Sequence, residues 1–212
     1  KIIAEQFHEQ EKNSKLMISI LSHIVEFRNG ESGLHILHVN TITKYLLKQL
    51  VQLTDQYPLS KADISLISTA SALHDIGKIA VPDAVLRKTG PLTADEWQEM
   101  RRHPVTGYNI LRRVADFQDI AVLVLHHHER WDGRGYPDGL SGDQIPISAQ
   151  VVAMADVYDA LVSKRVYKDA YAPDVAVQMI LHGDCGAFNP LLLDCLTDLQ
   201  DTFKAELAAP EA

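Results

Sequence analysis

His74-Asp75-Ile76-Gly77-Lys78 decides how this chain is read. The adjacent pair offers a neutral imidazole and a carboxylate, and the carboxylate can bridge two ions. The residues before it recur at helical spacing: Ile64, Ile67, Ala70, Ser71 and Leu73. Ser60 and Asp63 predict an N-cap, with Leu59 and Ile64 placed as a hydrophobic staple. Ile79-Ala80-Val81-Pro82 then breaks the pattern, so the pair stands at the end of an apolar helix just before a turn. Ala70, Ser71 and Ala72 are small enough to let a neighbouring helix close in. Lys78 lies four residues beyond His74 and faces the same region, and Gly77 removes side-chain bulk between them.

Other segments supply further ligand-type side chains. Glu31 and His35 are four apart, on one face if both are helical. His103 precedes Pro104, which predicts the end of a short helix opened by a Thr93/Glu96 capping box and a Leu92/Trp97 staple. Residues 105–114 and 119–128 read as two more helices. The second is apolar over residues 120–125 and runs into His126-His127-His128. Buried neutral imidazoles need polar partners, so metal ligation explains the triplet better than packing does. Two of the three suffice, and His126 is the one set aside. Trp131-Asp132-Gly133-Arg134-Gly135-Tyr136-Pro137-Asp138-Gly139-Leu140 reads as a glycine-rich loop able to form a pocket lip or a docking surface. The helix after Ile145-Pro146 is apolar on most sides and therefore central. Asp156 and Asp159 interrupt it, and a buried carboxylate must be paired or bind a metal.

The remainder sets bounds. The 212 residues suffice for one domain with a substantial core. The composition, 46% hydrophobic and 23% charged, is that of an ordinary globular protein. The net charge of -8 argues against a polymeric nucleic-acid partner, while metal ions and a few local cations still permit a small nucleotide. Cys185 and Cys195 are too few for a disulfide framework and fit a reducing compartment. Residues 120–125 are far too short to span a bilayer. The chain begins at Lys1 without a signal sequence or an initiator Met, and we read it as a fragment of a longer protein. The first helix, with apolar points at Phe7, Leu16, Ile20 and Ile24, reads as a connector from an upstream domain over 1–26. A domain over 27–207 and a frayed tail over 208–212 complete the expected layout.

In combination, these segments resemble the HD-GYP family, a branch of the HD superfamily of metal-dependent phosphohydrolases. The resemblance rests on Glu31-Ser32-Gly33-Leu34-His35, His74-Asp75-Ile76-Gly77-Lys78, His103-Pro104, His127-His128-Glu129-Arg130-Trp131-Asp132-Gly133, Gly135-Tyr136-Pro137 and Ala155-Asp156-Val157-Tyr158-Asp159-Ala160-Leu161. It implies an all-α helical bundle around a five-helix HD core. It also implies a cytoplasmic phosphodiesterase that opens cyclic di-GMP to pGpG or GMP, or one that prefers cyclic GMP-AMP. The ligands carried over are His74, Asp75, His103, His127, His128 and Asp156, with Asp75 bridging. In part of the family, residues matching Glu31 and His35 support a third ion. The implied cofactors are thus two or three divalent transition-metal ions, iron or manganese. Ala80 stands where many relatives have Gly.

The mechanism expected from such ligands is attack on phosphorus by a hydroxide bridging two ions, which needs no separate strong base. His74 and Asp75 are then catalytic. Lys78 contacts a phosphate or assists the leaving oxygen. Arg165 and Lys168 match family positions that hold the substrate's phosphates. Tyr136 borders the pocket, or Gly135-Tyr136-Pro137 meets a GGDEF-domain cyclase. A regulatory upstream domain and a homodimer are further expectations of partners. The rivals are a non-catalytic cyclic-dinucleotide sensor, an HD enzyme acting on nucleoside triphosphates or (p)ppGpp, and a bundle whose histidines are incidental. The full ligand set argues against the first, and the Gly-Tyr-Pro loop against the second.

Overall fold

The computed structural model describes residues 2–29, 34–114, 117–164 and 169–207, without the side chains of 2–8, 10, 11, 14, 15 and 119. Among these residues the regular structure is helical throughout: α1 (Ile2–Asn29), α2 (Leu34–Leu53), α3 (Lys61–Ala70), α4 (Asp83–Leu86), α5 (Ala94–Met100), α6 (His103–Leu111), α7 (Gln118–His126), α8 (Ile147–Val162), α9 (Pro173–Leu181) and α10 (Pro190–Glu206), with short 3-10 turns between. The expected all-α fold is what forms. Glu31, Arg165, Lys168 and the tail 208–212 lie outside the described residues.

Local chemistry sets the boundaries. Ser60 accepts from the Asp63 amide while Asp63 accepts from the Ser60 amide, and Thr93 and Glu96 do the same for α5, so both predicted capping boxes are present. His103-Pro104 departs from the prediction. Instead of closing α5, which stops at Met100, it opens α6. The proline's missing N–H is harmless in a first helical turn, where that donor has no partner anyway. Residues 83–86 form the single turn of α4.

Two apolar clusters fill the interior. One joins α2, α8, α9 and α10 through Ile42, Leu46, Leu50, Met154, Tyr158, Ile180, Leu192 and Phe203. The other joins α1, the 3-10 turns and α7 through Ile18, Val25, Leu73, Ile76, Leu123 and Val124. α8 spans both: Val151, Met154 and Ala155 belong to the first and Val152 to the second. This explains why it is apolar nearly all round and central. The polar site lies along α8 and the second cluster, held by elements from each.

α1 buries Ile18, Ser22 and Val25, so the stripe Leu16, Ile20 and Ile24 faces outward. Its last turn is fastened by Arg28. The guanidinium donates to the carbonyls of Lys78 (2.9 Å), Ile79 and Val81, and to Asp83 Oδ1 from Nε (3.0 Å) and Nη2 (2.9 Å). Those carbonyls end a 3-10 turn; the Lys78 carbonyl also accepts from the Val81 amide at 3.0 Å, and the fork-shaped cation caps the turn's C-terminal end.

Candidate metal centre

The His74-Asp75 pair lies between two 3-10 turns, Ser71–Leu73 and Ile76–Ala80, rather than in a continuous α-helix. The two side chains still converge, with His74 Nε2 3.4 Å from Asp75 Oδ2. The turn Ile76–Ala80 packs directly on α6. A Cβ built on Gly77 would stand 1.9 Å from the His103 carbonyl oxygen and 2.6 Å from the Gly107 nitrogen. Only a glycine allows this approach, and the approach brings His103 opposite Asp75.

Two groups of ligand-type atoms result, each with all members within 4.8 Å of one another: Asp75, His103, His127 and His128; and His35, His74 and Asp156. Asp75 faces both. Its Oδ1 lies 3.2 Å from His103 Nε2 and 3.8 Å from His127 Nε2, and its Oδ2 lies 3.4 Å from His74 Nε2. In the second group Asp156 Oδ1 lies 3.6 Å from His35 Nε2 and 3.9 Å from His74 Nε2. α7 ends at His126, which leaves His127 and His128 in the turn beyond it. His126 falls outside both groups and pairs with Asp138 at 3.0 Å.

Hydrogen bonding at the back of each ring assigns the tautomers. Nδ1 of His74, His103 and His127 lies 2.7, 2.8 and 2.7 Å from the carbonyls of Ser71, Met100 and Val124. A carbonyl only accepts, so each Nδ1 carries a proton and each neutral ring aims a bare Nε2 lone pair inward. His103 Nε2 and His127 Nε2 then face each other at 3.3 Å as two acceptors. Asp75 Oδ1 is equally an acceptor, so its 3.2 Å approach to His103 is not a hydrogen bond. Accordingly His74 Nε2 and Asp75 Oδ1 are buried without hydrogen-bond partners. Converging buried acceptors cost free energy unless a cation lies among them. These residues therefore fit divalent metal ions, and their mix of imidazole and carboxylate suits transition metals.

The electrostatics agree. Burial pushes His128 down to about 3, with His103 adding to the effect. Burial and the neighbouring rings hold His127 well below the usual histidine range. Both are thus in the neutral, ligating form. His74 differs: burial opposes its charge, but without a bound metal ion Asp75 and Asp156 outweigh burial and raise its pKa to about 9, so its Nε2 carries either a proton or, in exchange for that proton, a metal ion. Burial opposes charge on Asp75 too, yet Lys78 and His74 keep it ionised.

Outer contacts hold these groups. Asp159 Oδ2 binds His35 Nδ1 at 2.6 Å, and Oδ1 binds His38 Nδ1 at 2.7 Å and Ser163 at 2.8 Å. Burial would raise the Asp159 pKa, but these hydrogen bonds lower it. The carboxylate thus orients His35 so that Nε2 meets Asp156 and His74. The sequence marked Asp159 as a buried acid that must be paired or bind a metal, without naming which; His38, three residues after His35 on the same helix, was the available clue. Removing such an orienting carboxylate typically weakens metal binding by about 10–100-fold. Asp159→Asn is expected to lose Mn2+ affinity in that range, read by titration, with helicity kept. Unchanged affinity would remove its orienting role.

Lys78 Nζ donates to Asp75 Oδ2 and so places a cation at the edge of the site. Tyr136 stacks on His128, with ring centroids 4.8 Å apart and planes 23° from parallel, and burial raises its pKa. Its loop is tied to the histidine turn: the Tyr136 amide donates to the His128 carbonyl, and Glu129 Oε1 accepts from the Asp138 and Gly139 amides at 2.7 and 3.0 Å. Gly135 is required here, since its Cβ would stand 2.4 Å from the Arg130 nitrogen. Two contributions escaped the sequence reading: Glu129 as the loop's anchor, and Arg101, whose Cζ lies 5.1 Å from the Tyr136 ring centroid.

A helical fold presenting paired His/Asp ligand groups is the architecture of HD phosphohydrolases, and the sequence profile described as HD domain matches residues 15–185. The chain belongs to the HD domain family. Within it, the chain carries the HD-GYP motifs. It is 39% identical over 191 residues to the cyclic di-GMP phosphodiesterase response regulator RpfG of Xanthomonas campestris, covering 89% of this chain and 49% of that protein. It is 37% identical over 196 residues to the 3'3'-cGAMP-specific phosphodiesterase 2 of Vibrio cholerae, covering 92% and 36%. The crystal structure of a Vibrio cholerae cyclic GMP-AMP specific phosphodiesterase shares the fold, with TM-score 0.69 at 20% identity over 92% of this chain and 51% of that one. The chain thus spans about half the length, or less, of these relatives.

Proposed function

We propose that this chain is a metal-dependent phosphodiesterase that opens a cyclic dinucleotide, cyclic di-GMP before cyclic GMP-AMP, to pGpG or GMP. The observation that carries the reading is the pair of ligand groups facing one carboxylate, Asp75. Relatives named cyclic di-GMP and 3'3'-cGAMP phosphodiesterases support the substrate class. His103, His127 and His128 hold one divalent ion and His35, His74 and Asp156 a second, with Asp75 between them; Glu31 adds to His35 if a third is held. Iron or manganese is the proposed identity. Ions bound there supply Lewis acidity toward phosphoryl oxygens and lower the pKa of water. Lys78 meets a phosphate oxygen or the leaving oxygen from its position beside Asp75. Arg165 and Lys168 hold the phosphates, and Tyr136 walls the pocket.

A cytoplasmic location, an upstream regulatory domain, a homodimer and a GGDEF-domain partner at Gly135-Tyr136-Pro137 complete the proposal. Support for a partner along α1 comes from its outward apolar residues, Met17, Ile20, Ile24 and Phe27. Among the described residues no helix is long and apolar enough to cross a membrane.

Anaerobic purification with elemental analysis, followed by turnover of both dinucleotides, tests the reading. Two or three metals per chain with linear product formed are expected. Metal without turnover of either would replace the enzyme with a sensor.

A further inference from the structure

We propose that Arg101 is a substrate-binding residue whose guanidinium holds the second, non-scissile phosphodiester of the cyclic dinucleotide. The inference rests on the proposed function and specifies how that site distinguishes a dinucleotide from a simple diester. A cyclic dinucleotide carries two phosphodiesters on opposite sides of one macrocycle. The metal-binding side chains account for the scissile one, and the other needs a cation a short distance away at the rim.

Arg101 has that placement. It lies two residues before His103, in the bend between α5 and α6. Its Cζ is 5.1 Å from the centroid of Tyr136, and Tyr136 in turn stacks at 4.8 Å on His128 of the first ligand group. One ring spacing therefore separates the guanidinium from a metal-binding side chain. The cation–aromatic contact restrains the long side chain, which reduces the entropy lost when it engages a ligand.

Its charge is also uncommitted. The neighbouring Arg102 is taken up by Glu99, Arg28 by Asp83 and Arg130 by Asp132. Arg101 is exposed and makes no ion pair among the described residues, although the chain carries 28 acidic groups. Its Cζ lies over the Tyr136 ring, and among the described residues its N–H edges make no side-chain hydrogen bond. Those edges match the paired oxygens of a phosphodiester. The carboxylates whose charge reaches Tyr136, Asp75 and Asp156, are occupied with histidines and Lys78.

The test uses the Mn2+-loaded chain, wild type against Arg101→Ala and Arg101→Lys. Cyclic di-GMP is compared with bis(p-nitrophenyl) phosphate, which has one diester and no second phosphate. Binding of a slowly hydrolysed phosphorothioate cyclic di-GMP is measured alongside. Arg101→Ala is expected to raise KM and the analogue's Kd about tenfold, the scale of one lost charge-assisted hydrogen bond. Its kcat should change far less. The loss on the dinucleotide should exceed that on the simple diester, and Arg101→Lys should recover part of it. An unchanged KM and Kd, or equal losses on both substrates, would overturn the role of Arg101 alone. A wild-type chain that cleaves bis(p-nitrophenyl) phosphate but neither binds nor cleaves the dinucleotide would overturn the dinucleotide reading, and this inference with it.

Discussion

Replacing His74 and Asp75 together by alanine is expected to abolish phosphodiester hydrolysis and empty the site of metal while leaving the helical circular dichroism mostly intact. Asp75 is the one side chain that faces both ligand groups, and His74 is the nitrogen ligand of the second group nearest to it. Losing both takes the carboxylate from the first group and the His74 imidazole from the second, which leaves His35 and Asp156 too few to hold an ion. Metal ions contribute several kcal/mol of transition-state stabilisation. At about 1.4 kcal/mol per factor of ten, turnover should fall by about 10^3 or more. The fold should survive, because both residues lie between two 3-10 turns, beside the apolar clusters rather than within them. The substitution also removes buried acceptors that have no partner in the absence of metal. Elemental analysis, turnover and circular dichroism on one preparation decide the matter. A double variant that retained full activity would show that the metal site lies elsewhere.

The sequence exposed this site well because its chemistry breaks packing rules. A charged pair at the end of an apolar helix, and three imidazoles at the end of another, have no place in a core unless something binds them. The same logic identified the caps at Ser60 and Thr93, whose partners are three residues away and whose bonds are local. Contacts between residues distant in sequence left no comparable mark. Arg28 caps a turn some fifty residues later, and a lone arginine near a helix end reads as solvated surface. Asp159 reaches His35 across 124 positions. Arg101 and Tyr136 meet only because α5, α6 and the glycine-rich loop fold onto one rim. His103-Pro104 was misplaced for another reason: the residue before a proline is biased away from helix, but that bias does not say whether the proline ends one helix or starts the next.

Gly77→Ala should be among the most destabilising single-methyl additions this chain can receive. The added Cβ would lie 1.9 Å from the His103 carbonyl oxygen, 2.6 Å from the Gly107 nitrogen and 2.8 Å from the His103 carbonyl carbon. All three are backbone atoms of α6, so no side-chain rotation relieves the contact. The turn Ile76–Ala80 and α6 must separate, although the second apolar cluster holds Ile76 and Leu111 together. Overpacking that side chains can absorb costs about 1–3 kcal/mol. A backbone clash should exceed that range, lowering Tm by roughly 10 °C at the 2–4 °C per kcal/mol usual for this size. Separation also draws His103 away from Asp75, so metal affinity should fall with stability. Gly107→Ala supplies the graded comparison. Its nearest obstacles are the side-chain atoms Val124 Cγ1 at 2.7 Å and Ile76 Cγ2 at 3.2 Å, which can shift, so a smaller loss is expected. Gly90→Ala meets nothing within 4 Å and should melt with the wild type. If Gly77→Ala melts within about 2 °C of the wild type, less than 1 kcal/mol on the same scale, then the close contact between the His-Asp turn and α6 does not hold the metal centre together.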